Sequence, residues 1–361
     1  MKVGIIIFHR AINYGAVLQA YALQTVIKKL GHNVEMIDYR CTLLENQYSA
    51  YQAIKNSKSL KYTIYLFLKK LYPMVKKKIN VEKFIDKYLN LSQPYYKNSI
   101  KKAEGIYDKV FTGSDQVWNY NHADFDKTYF LDFISDTSKK CSYSASIGVS
   151  ELPDYVVEDY QRLLGTFGNL SVREISGKRI INNILPEKEV EVSIDPTLLL
   201  DKEAWEKVAD KNRFKQNYVL VYELIPSDSL VEYAKKIAKE KNIKVFRISS
   251  DMKKVRGVKN LYGVSPQEFV QLIANAQVVC TNSFHGTAFS LNFNKCMYVE
   301  LLKAPYEKLN ARILDLLENC NATDRIIGQT KKEECTFDSI NKYILQERNR
   351  AMVYLQGILG E

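Results

Sequence analysis

The sequence predicts an α/β protein built from two doubly wound domains. Short apolar runs typical of buried strands alternate with longer helix-forming segments in both halves of the chain. The alternation begins at 3–39, breaks at Asp195 and Pro196, and begins again at Tyr218. A length of 361 residues also exceeds that of most single domains. We therefore expect two domains of similar size, each with a parallel sheet.

The first half opens with a strand predicted at 3–8, a helix at 16–30 that ends at Gly31, and a strand at 34–39. This spacing fits the crossover that two parallel strands require. A mostly helical, lysine-rich insertion is expected over about 45–105. The later elements are expected as strands at 109–112, 141–147, 170–172 and 190–194, and as helices at 153–164 and 175–183.

The second half repeats the pattern after a boundary near 197–215. Ser227 or Asp228 caps a helix predicted at 227–239, and Ser265 with Pro266 starts another. Further elements are expected as strands at 218–223, 244–248, 276–280 and 297–301, and as a helix from Ala288. The domains are therefore predicted as 1–200 and 201–336, followed by a helix within 337–361 that packs back on the first domain.

Composition excludes an integral membrane protein. Hydrophobic residues make up 46% and charged residues 26% of the chain, and no run approaches the roughly 18 apolar residues of a membrane span. The segment 1–8 lacks a small-residue cleavage site and is interpreted as a strand, not a signal peptide. The six cysteines form no CxxC pair, which predicts reduced thiols, a cytoplasmic location and no zinc site.

The net charge of +11 is concentrated in one segment. No acidic residue lies between Glu45 and Glu82, while eight lysines alternate there with tyrosine and phenylalanine. Such a segment, 51–78, suits an anionic membrane surface; the alternative is a solvated helix face. Nucleic acid is not expected as a partner, because no RNP, helix-turn-helix or zinc-finger pattern accompanies the charge.

The end of the predicted strand 276–280 is the strongest candidate for an active site. Polar residues follow it, and ligands bind at the carboxyl ends of parallel strands. A helix starting near His285 favours an anion at its N-terminus, which makes Asn282, Ser283 and Gly286 candidates for binding. His285 can act as general acid or base. The alternative is a helix cap beside a structural histidine.

Two loops of the first half suit a sugar. Asn13, Tyr14, Gly15 and Gln19 form a polar helix start without the GxGxxG pattern, so a nicotinamide cofactor is not indicated. The alternative for this loop is a helix cap and a tight turn.

The second loop follows the strand at 109–112. There Gly113 permits close approach, Ser114 and Asp115 offer polar groups, and Trp118 offers a ring face for sugar stacking. The alternative is an N-cap with Trp118 in the core.

Arg173 follows the predicted strand 170–172 and can engage phosphate or carboxylate through its planar fork of donors. The alternative is a salt bridge with Glu174 or another acid.

Six segments in order resemble one family. NYGAVLQAYALQ, GSDQVWN, SYSASIG, LSVRE, SIDPTLLL and CTNSFHGTAFSL together look like the polysaccharide pyruvyl transferase family, over about residues 2–327. The resemblance implies two Rossmann-like domains that face a central cleft, arranged as in GT-B glycosyltransferases. It also implies transfer of an enolpyruvyl-derived group from phosphoenolpyruvate to a sugar, with formation of a pyruvate ketal.

The resemblance assigns catalytic roles to Arg173 and His285. A basic partner is implied after the last strand, where Lys308 and Arg312 are weighted ahead of Lys303. The loops of the first domain then bind the acceptor, a sugar of a surface polysaccharide or its lipid-linked precursor. No oligomeric state is indicated.

Phosphoenolpyruvate is expected as co-substrate, with no redox cofactor. No HxH or DxD spacing lies near these motifs, so no metal is expected. Two other functions stay open: a GT-B nucleotide-sugar glycosyltransferase, and a non-catalytic sugar-binding assembly protein.

Overall fold

The computed structural model describes residues 1–42, 72–210, 214, 217–249, 254–329 and 335–360. The described residues fall into two compact units. Those of Met1–Gln47, Ile85–Leu199 and Gln346–Glu361 form unit 1, and those of Tyr48–Phe84 and Leu200–Leu345 form unit 2. Most of the lysine-rich segment predicted to meet a membrane, 51–71, lies outside the described residues. Within the described part of the chain, no helix is long and apolar enough to cross a membrane.

Unit 1 is built on a parallel sheet of five strands. Its strands are β1 (Lys2–Ile6), β2 (Asn33–Tyr39), β3 (Leu91–Tyr95), β4 (Lys109–Thr112) and β5 (Lys140–Ser142). They lie in the order β3-β2-β1-β4-β5, so the direction of the strand order reverses between β1 and β4. Two further strands, β6 (Leu170–Val172) and β7 (Val190–Val192), pair in parallel with each other. A bridge between Ala145 and Val172 connects β6 to the chain that follows β5. Ligands of such sheets bind at the carboxyl edge, beside the reversal.

Unit 1 contains several helices, and the side chain of Asn13 caps the first of them. They are α1 (Tyr14–Lys29), the end of α2 (Tyr72–Tyr88), α3 (Asp154–Leu164) and α4 (Ile175–Ile184). The last part of α10 (Asp338–Leu359) also belongs to unit 1, where Tyr354 donates to the carbonyl of Ser142 and Arg350 pairs with Glu191.

Unit 2 repeats the same strand order. Its strands are β8 (Tyr218–Tyr222), β9 (Lys244–Ser249), β10 (Val258–Tyr262), β11 (Val278–Thr281) and β12 (Cys296–Val299), in the order β10-β9-β8-β11-β12, all parallel. Its helices are α5 (Lys202–Glu206), α6 (Asp228–Glu240), α7 (Pro266–Asn275), α8 (Phe284–Asn292) and α9 (Ala311–Asn319). Ser227 caps α6, and Ser265 forms a capping box with Glu268 at α7. The reversal here lies between β8 and β11.

Two of the edge strands, β3 and β10, differ from expectation. The insertion expected to be mostly helical contains β3, and β10 was not expected at all. Pro94 is tolerated in β3 because an edge strand does not need every N–H for pairing. Both strands are partly exposed and lack a continuous apolar run, so the sequence signal is weak.

Two other elements have different bounds. The strand expected at 141–147 ends at Ser142, and Ser144 takes a positive φ of 52°, which breaks the extended conformation. Helix α8 begins at Phe284, next to the start expected near His285 and ahead of the helix expected from Ala288, because Ser283 caps it.

The expectation of reduced cysteines is wrong for one pair. Cys296 and Cys335 form a disulfide across 39 residues of sequence. A bridge between Val299 and Ile326 brings the chain after α9 back to β12, which the spacing of the cysteines does not reveal. The other four cysteines, at positions 41, 141, 280 and 320, are buried and form no disulfide.

Candidate functional site

Arg173 is surrounded by acids in unit 1. Its Nη1 donates to Asp195 Oδ2 at 2.9 Å and to Ser114 Oγ at 3.5 Å. Asp115 lies 3.9 Å from its Nη2 and Glu174 3.8 Å from its Nε. Burial alone would lower the pKa of Arg173, but Asp195, Glu174 and Asp115 outweigh it and raise the pKa. Arg173 therefore forms salt bridges with acids, which was the alternative to a role in binding phosphate or carboxylate.

Asp195 is a member of this cluster that the sequence did not single out as a site residue. Its Oδ1 accepts hydrogen bonds from the backbone N–H and hydroxyl of Thr197, at 2.9 and 2.7 Å. Its Oδ2 faces Arg173 and Ser114. The signal available was an Asp-Pro pair shortly after β7, inside the SIDPTLLL segment of the family resemblance, which was not interpreted as part of the site.

Glu174, which the sequence offered as a salt-bridge partner of Arg173, is another member. Its Oε1 accepts from the hydroxyl of Ser146 at 2.7 Å and from the backbone N–H groups of Ile147 and Gly148. These bonds tie the end of β6 to the chain after β5. Glu174 therefore holds the loop that carries the predicted SYSASIG segment.

Gln19, Ser114 and Asp115 converge on the same place, as expected for one loop cluster at the carboxyl edge. Gln19 Nε2 donates to the carbonyl of Ser114 at 3.4 Å. Asp115 takes a φ of 80°, and its carbonyl accepts from the N–H of Ser146. Such a backbone conformation is costly outside glycine and occurs often at functional sites. The Asp115 side chain is the most exposed of the cluster's acids, at 18%.

Other predicted acceptor residues have structural roles. Asn13 Oδ1 accepts from the N–H of Gly15 at 2.9 Å and caps α1, and Tyr14 is buried. Gly113 packs on Ile7, where a Cβ would lie only 2.8 Å from the Ile7 side chain.

Trp118 does not offer a sugar-stacking face. It is fully buried, its indole N–H donates to the carbonyl of Tyr129, and its ring stacks on Phe130. The prediction that Trp118 contacts the acceptor is wrong, because an apolar ring of this size is used in the core.

In unit 2, Asn282 links the two central strands. Its Oδ1 accepts from the N–H of Leu224 and its Nδ2 donates to the carbonyl of Ile225, each at 2.7 Å. The amide is thus engaged by the main chain that follows β8. The prediction that Asn282 binds the donor is corrected accordingly.

The loop after β8 is also held from β9. Glu223 accepts from Arg247 Nε at 2.5 Å and from the N–H of Ser227 at 2.7 Å. Both side chains are buried, and burial raises the pKa of Glu223. Asn282 and Arg247 together fix the loop beside the reversal of strand order.

His285 lies in the first turn of α8, at the carboxyl end of β11. Ser283 caps this helix through the N–H of Gly286. A Cβ at Gly286 would overlap Thr281 Oγ1 and touch the Tyr222 ring, so only glycine allows α8 to start this close to β11. Ser283 and Gly286 therefore shape the helix N-terminus, where backbone N–H groups and the dipole favour an anion.

Arg312 is the cation that the structure places beside this turn. Its guanidinium lies 5.8 Å from the ring centroid of Phe284, which precedes His285. Lys303 and Lys308 are exposed residues between β12 and α9. Of the three candidates for the basic residue that binds the donor, the structure thus favours Arg312.

A family model described as polysaccharide pyruvyl transferase matches residues 13–299. The chain belongs to the polysaccharide pyruvyl transferase family. The matched range contains the acid-rich cluster around Arg173 and the first turn of α8. Arg312 of this family member lies beyond the matched range. No curated protein sequence matches the chain.

The fold of this pyruvyl transferase family member is also similar to solved structures. UDP-GlcNAc 2-epimerase from Methanocaldococcus jannaschii has 12% identity and a TM-score of 0.50, over 98% of this chain and 100% of that one. UDP-N-acetylglucosamine 2-epimerase from Rickettsia bellii has 12% identity and a TM-score of 0.49, over 99% and 95%. The predicted α/β, GT-B fold class is confirmed.

Proposed function

We propose that this protein transfers the enolpyruvyl-derived group of phosphoenolpyruvate to a sugar and forms a pyruvate ketal. The observation that carries the proposal is the position of His285, in the first turn of a helix that starts at the carboxyl end of central strand β11. An imidazole side chain and a helix N-terminus that favours an anion are combined there in one turn.

Phosphoenolpyruvate carries a phosphate and a carboxylate. The N-terminus of α8 and the guanidinium of Arg312 suit these anionic groups. Arg173 is paired with acids, so a role for it on the donor requires that it exchange Asp195 or Asp115 for the phosphate or carboxylate.

His285 supplies the proton in the proposed reaction. Protonation of the vinyl carbon of phosphoenolpyruvate gives an oxocarbenium-like centre at the adjacent carbon. One sugar hydroxyl adds to this centre, inorganic phosphate leaves, and a second hydroxyl closes the ketal. Such general acid catalysis contributes roughly 10² to 10⁴ in rate.

The sugar is assigned to unit 1. Carboxylates accept hydrogen bonds from hydroxyl groups, and Asp115 is the acid of the Arg173 cluster that is open to solvent. A cluster with three acids around one arginine suits the neutral hydroxyl groups of a sugar better than an anionic group.

A lipid-linked acceptor, and a cytoplasmic position at an anionic membrane through 51–78, are further parts of the proposal. Retention on anionic liposomes that weakens with added salt supports the membrane contact. Equal retention on neutral vesicles contradicts it.

Incubation with phosphoenolpyruvate and a panel of aryl and lipid-linked glycosides tests the reaction. The expected result is release of inorganic phosphate together with a glycoside heavier by one pyruvate less one water. Glycosyl transfer from a nucleotide sugar, or sugar binding without turnover of phosphoenolpyruvate, would contradict the proposal.

A further inference from the structure

Four side chains meet at the carboxyl ends of β1 and β2, apart from the Arg173 cluster: His9, Arg10, Asp38 and Arg40. We propose that this group, the Arg10 cluster, binds the phosphate of an acceptor whose sugar is linked to a phosphate or diphosphate. The inference rests on the proposed function for its acceptor, but anion binding by the cluster is testable without turnover.

One buried carboxylate holds both arginines. Arg10 donates from Nε to Asp38 Oδ1 and from Nη2 to Oδ2, each at 2.8 Å. Arg40 donates to Oδ2 from Nε at 3.0 Å and from Nη2 at 2.8 Å. Asp38 is 3% exposed, whereas Arg10 is 14% and Arg40 32% exposed. The acid is thus inside and the guanidinium groups face outward.

The bonding of Arg10 leaves one side of its guanidinium available. Nε and Nη2 form the side-on edge that grips Asp38, so the end-on edge with Nη1 points away from that carboxylate. This end-on fork matches two oxygens of a phosphate. The grip on Asp38 also fixes the arginine before any ligand binds, which reduces the entropy lost on binding.

The charge of the cluster favours an anion. Both guanidinium groups donate to the Asp38 carboxylate, and His9 is fully buried between Asp38 and the carbonyl of Ile7. Burial lowers the pKa of His9, although its hydrogen bond to Asp38 raises it. With His9 neutral, the four side chains carry one net positive charge, in contrast to the acid excess around Arg173.

The position in the sheet also fits a ligand. Arg10 lies in the loop that follows β1, and β1 is one of the two strands between which the strand order reverses. Loops at this point of an α/β sheet bind ligands. Hydroxyls of a sugar suit the acids near Asp115, and a phosphate on the same acceptor suits Arg10.

Calorimetric titration with inorganic pyrophosphate tests the site directly. Arg10→Gln and Arg40→Gln should each raise the Kd by about 10-fold or more, since a hydrogen bond to a charged group contributes roughly 1.5–3 kcal/mol. Arg350→Gln is the matched control, because Arg350 is likewise ion-paired in unit 1, with Glu191 and Glu347, but lies outside the cluster. It should leave the Kd within about two-fold.

Two further variants keep the test decisive. Arg10→Lys keeps the positive charge but loses the planar fork of donors, so we expect a Kd between those of the unmodified protein and Arg10→Gln. This variant still tests the site if Arg10→Gln fails to fold. His285→Ala should not change the Kd. Unchanged pyrophosphate binding in both Arg10 variants, or loss in His285→Ala alone, would overturn the proposal and place the anion at α8.

The acceptor is tested by kinetics. Arg10→Gln should raise KM for a glycosyl diphosphate by about 10-fold, while kcat/KM for the same glycoside without phosphate stays within about two-fold. The effect should be equal for water-soluble and lipid-linked diphosphates. A rise confined to the lipid-linked form, or equal for acceptors with and without phosphate, would contradict phosphate recognition. If no acceptor turns over, the proposed function fails while the pyrophosphate titration still decides the site.

Discussion

Arg173 Nη1 donates a hydrogen bond to Asp195 Oδ2 at 2.9 Å, with both side chains buried. The bond joins the end of β6 to the segment after β7, and the same carboxylate oxygen faces Ser114 after β4. Three separate segments of the family match are therefore held together by one carboxylate.

Replacement of Asp195 by asparagine should lower the free energy of unfolding by about 3–5 kcal/mol, because Arg173 would be left buried without its nearest counter-charge. Urea denaturation at neutral pH measures this difference. The matched control is Glu191→Gln, which breaks an exposed pair with Arg350 and should cost less than about 1 kcal/mol. Similar decreases in the free energy of unfolding in the two variants would show that the buried pair stabilises the protein no more than the exposed pair does.

Replacement of His285 by alanine or asparagine should lower kcat by roughly 10² to 10⁴ if it moves the proton in the reaction. The melting temperature should change little in the asparagine variant, which retains a polar side chain of smaller size. His122→Ala is the control, since His122 is an exposed histidine of unit 1. Activity of His285→Asn within a few-fold of the unmodified protein would remove His285 from the mechanism.

Replacement of Gly286 by alanine should destabilise the protein by about 1–3 kcal/mol, because the new Cβ overlaps Thr281 and presses on Tyr222. Thermal unfolding measures the change. Gly357 gives the matched control: it also lies within a helix, and nothing is within 4 Å of its Cβ position. Gly357→Ala should stabilise by about 0.5–1 kcal/mol. The expectation is wrong if both substitutions shift stability in the same direction.

Asp38 should make stability sensitive to acid. Burial alone would raise the pKa of Asp38, but hydrogen bonds from His9, Arg10 and Arg40 hold it well below its ordinary range. Since the unfolded pKa is about 3.9, the stabilisation is complete above about pH 5 and declines as the pH falls further towards the folded pKa.

Urea denaturation between about pH 6 and pH 3 tests this linkage. The difference in unfolding free energy between the unmodified protein and Asp38→Asn should shrink as the pH falls. Glu191→Gln, at a half-exposed acid, should show a much smaller trend. A difference that is constant over this range would show that Asp38 does not titrate with a lowered pKa.

Local sequence was sufficient to predict those helix caps and strands that depend on residues close together in the chain. Ser227 and Ser265 cap helices as expected, because a capping bond involves residues only two or three positions apart. The buried central strands β1, β8 and β11 were expected for a similar reason, since each is a continuous apolar run. The edge strand β10 lacks such a run and was missed.

The candidate site divides in the same way. His285 and Ser283 follow from the pattern of one strand end, and the structure places Ser283 at the N-cap of α8 and His285 in its first turn. Trp118 was misassigned, because a ring that could stack on sugar is equally able to fill a core, and only its contact with Phe130 decides between them. Asn282 was misassigned since its partners at Leu224 and Ile225 lie nearly 60 residues away.

The sequence by itself determined the α/β alternation, the helix caps, the family and the polar strand ends. Tertiary structure alone decided which polar groups pair: Arg173 with Asp195, and Arg10 and Arg40 with Asp38. The physical reason is range. Periodicity and capping act within a few residues, whereas the charge balance of a site depends on strands that the sheet order brings together from distant parts of the chain.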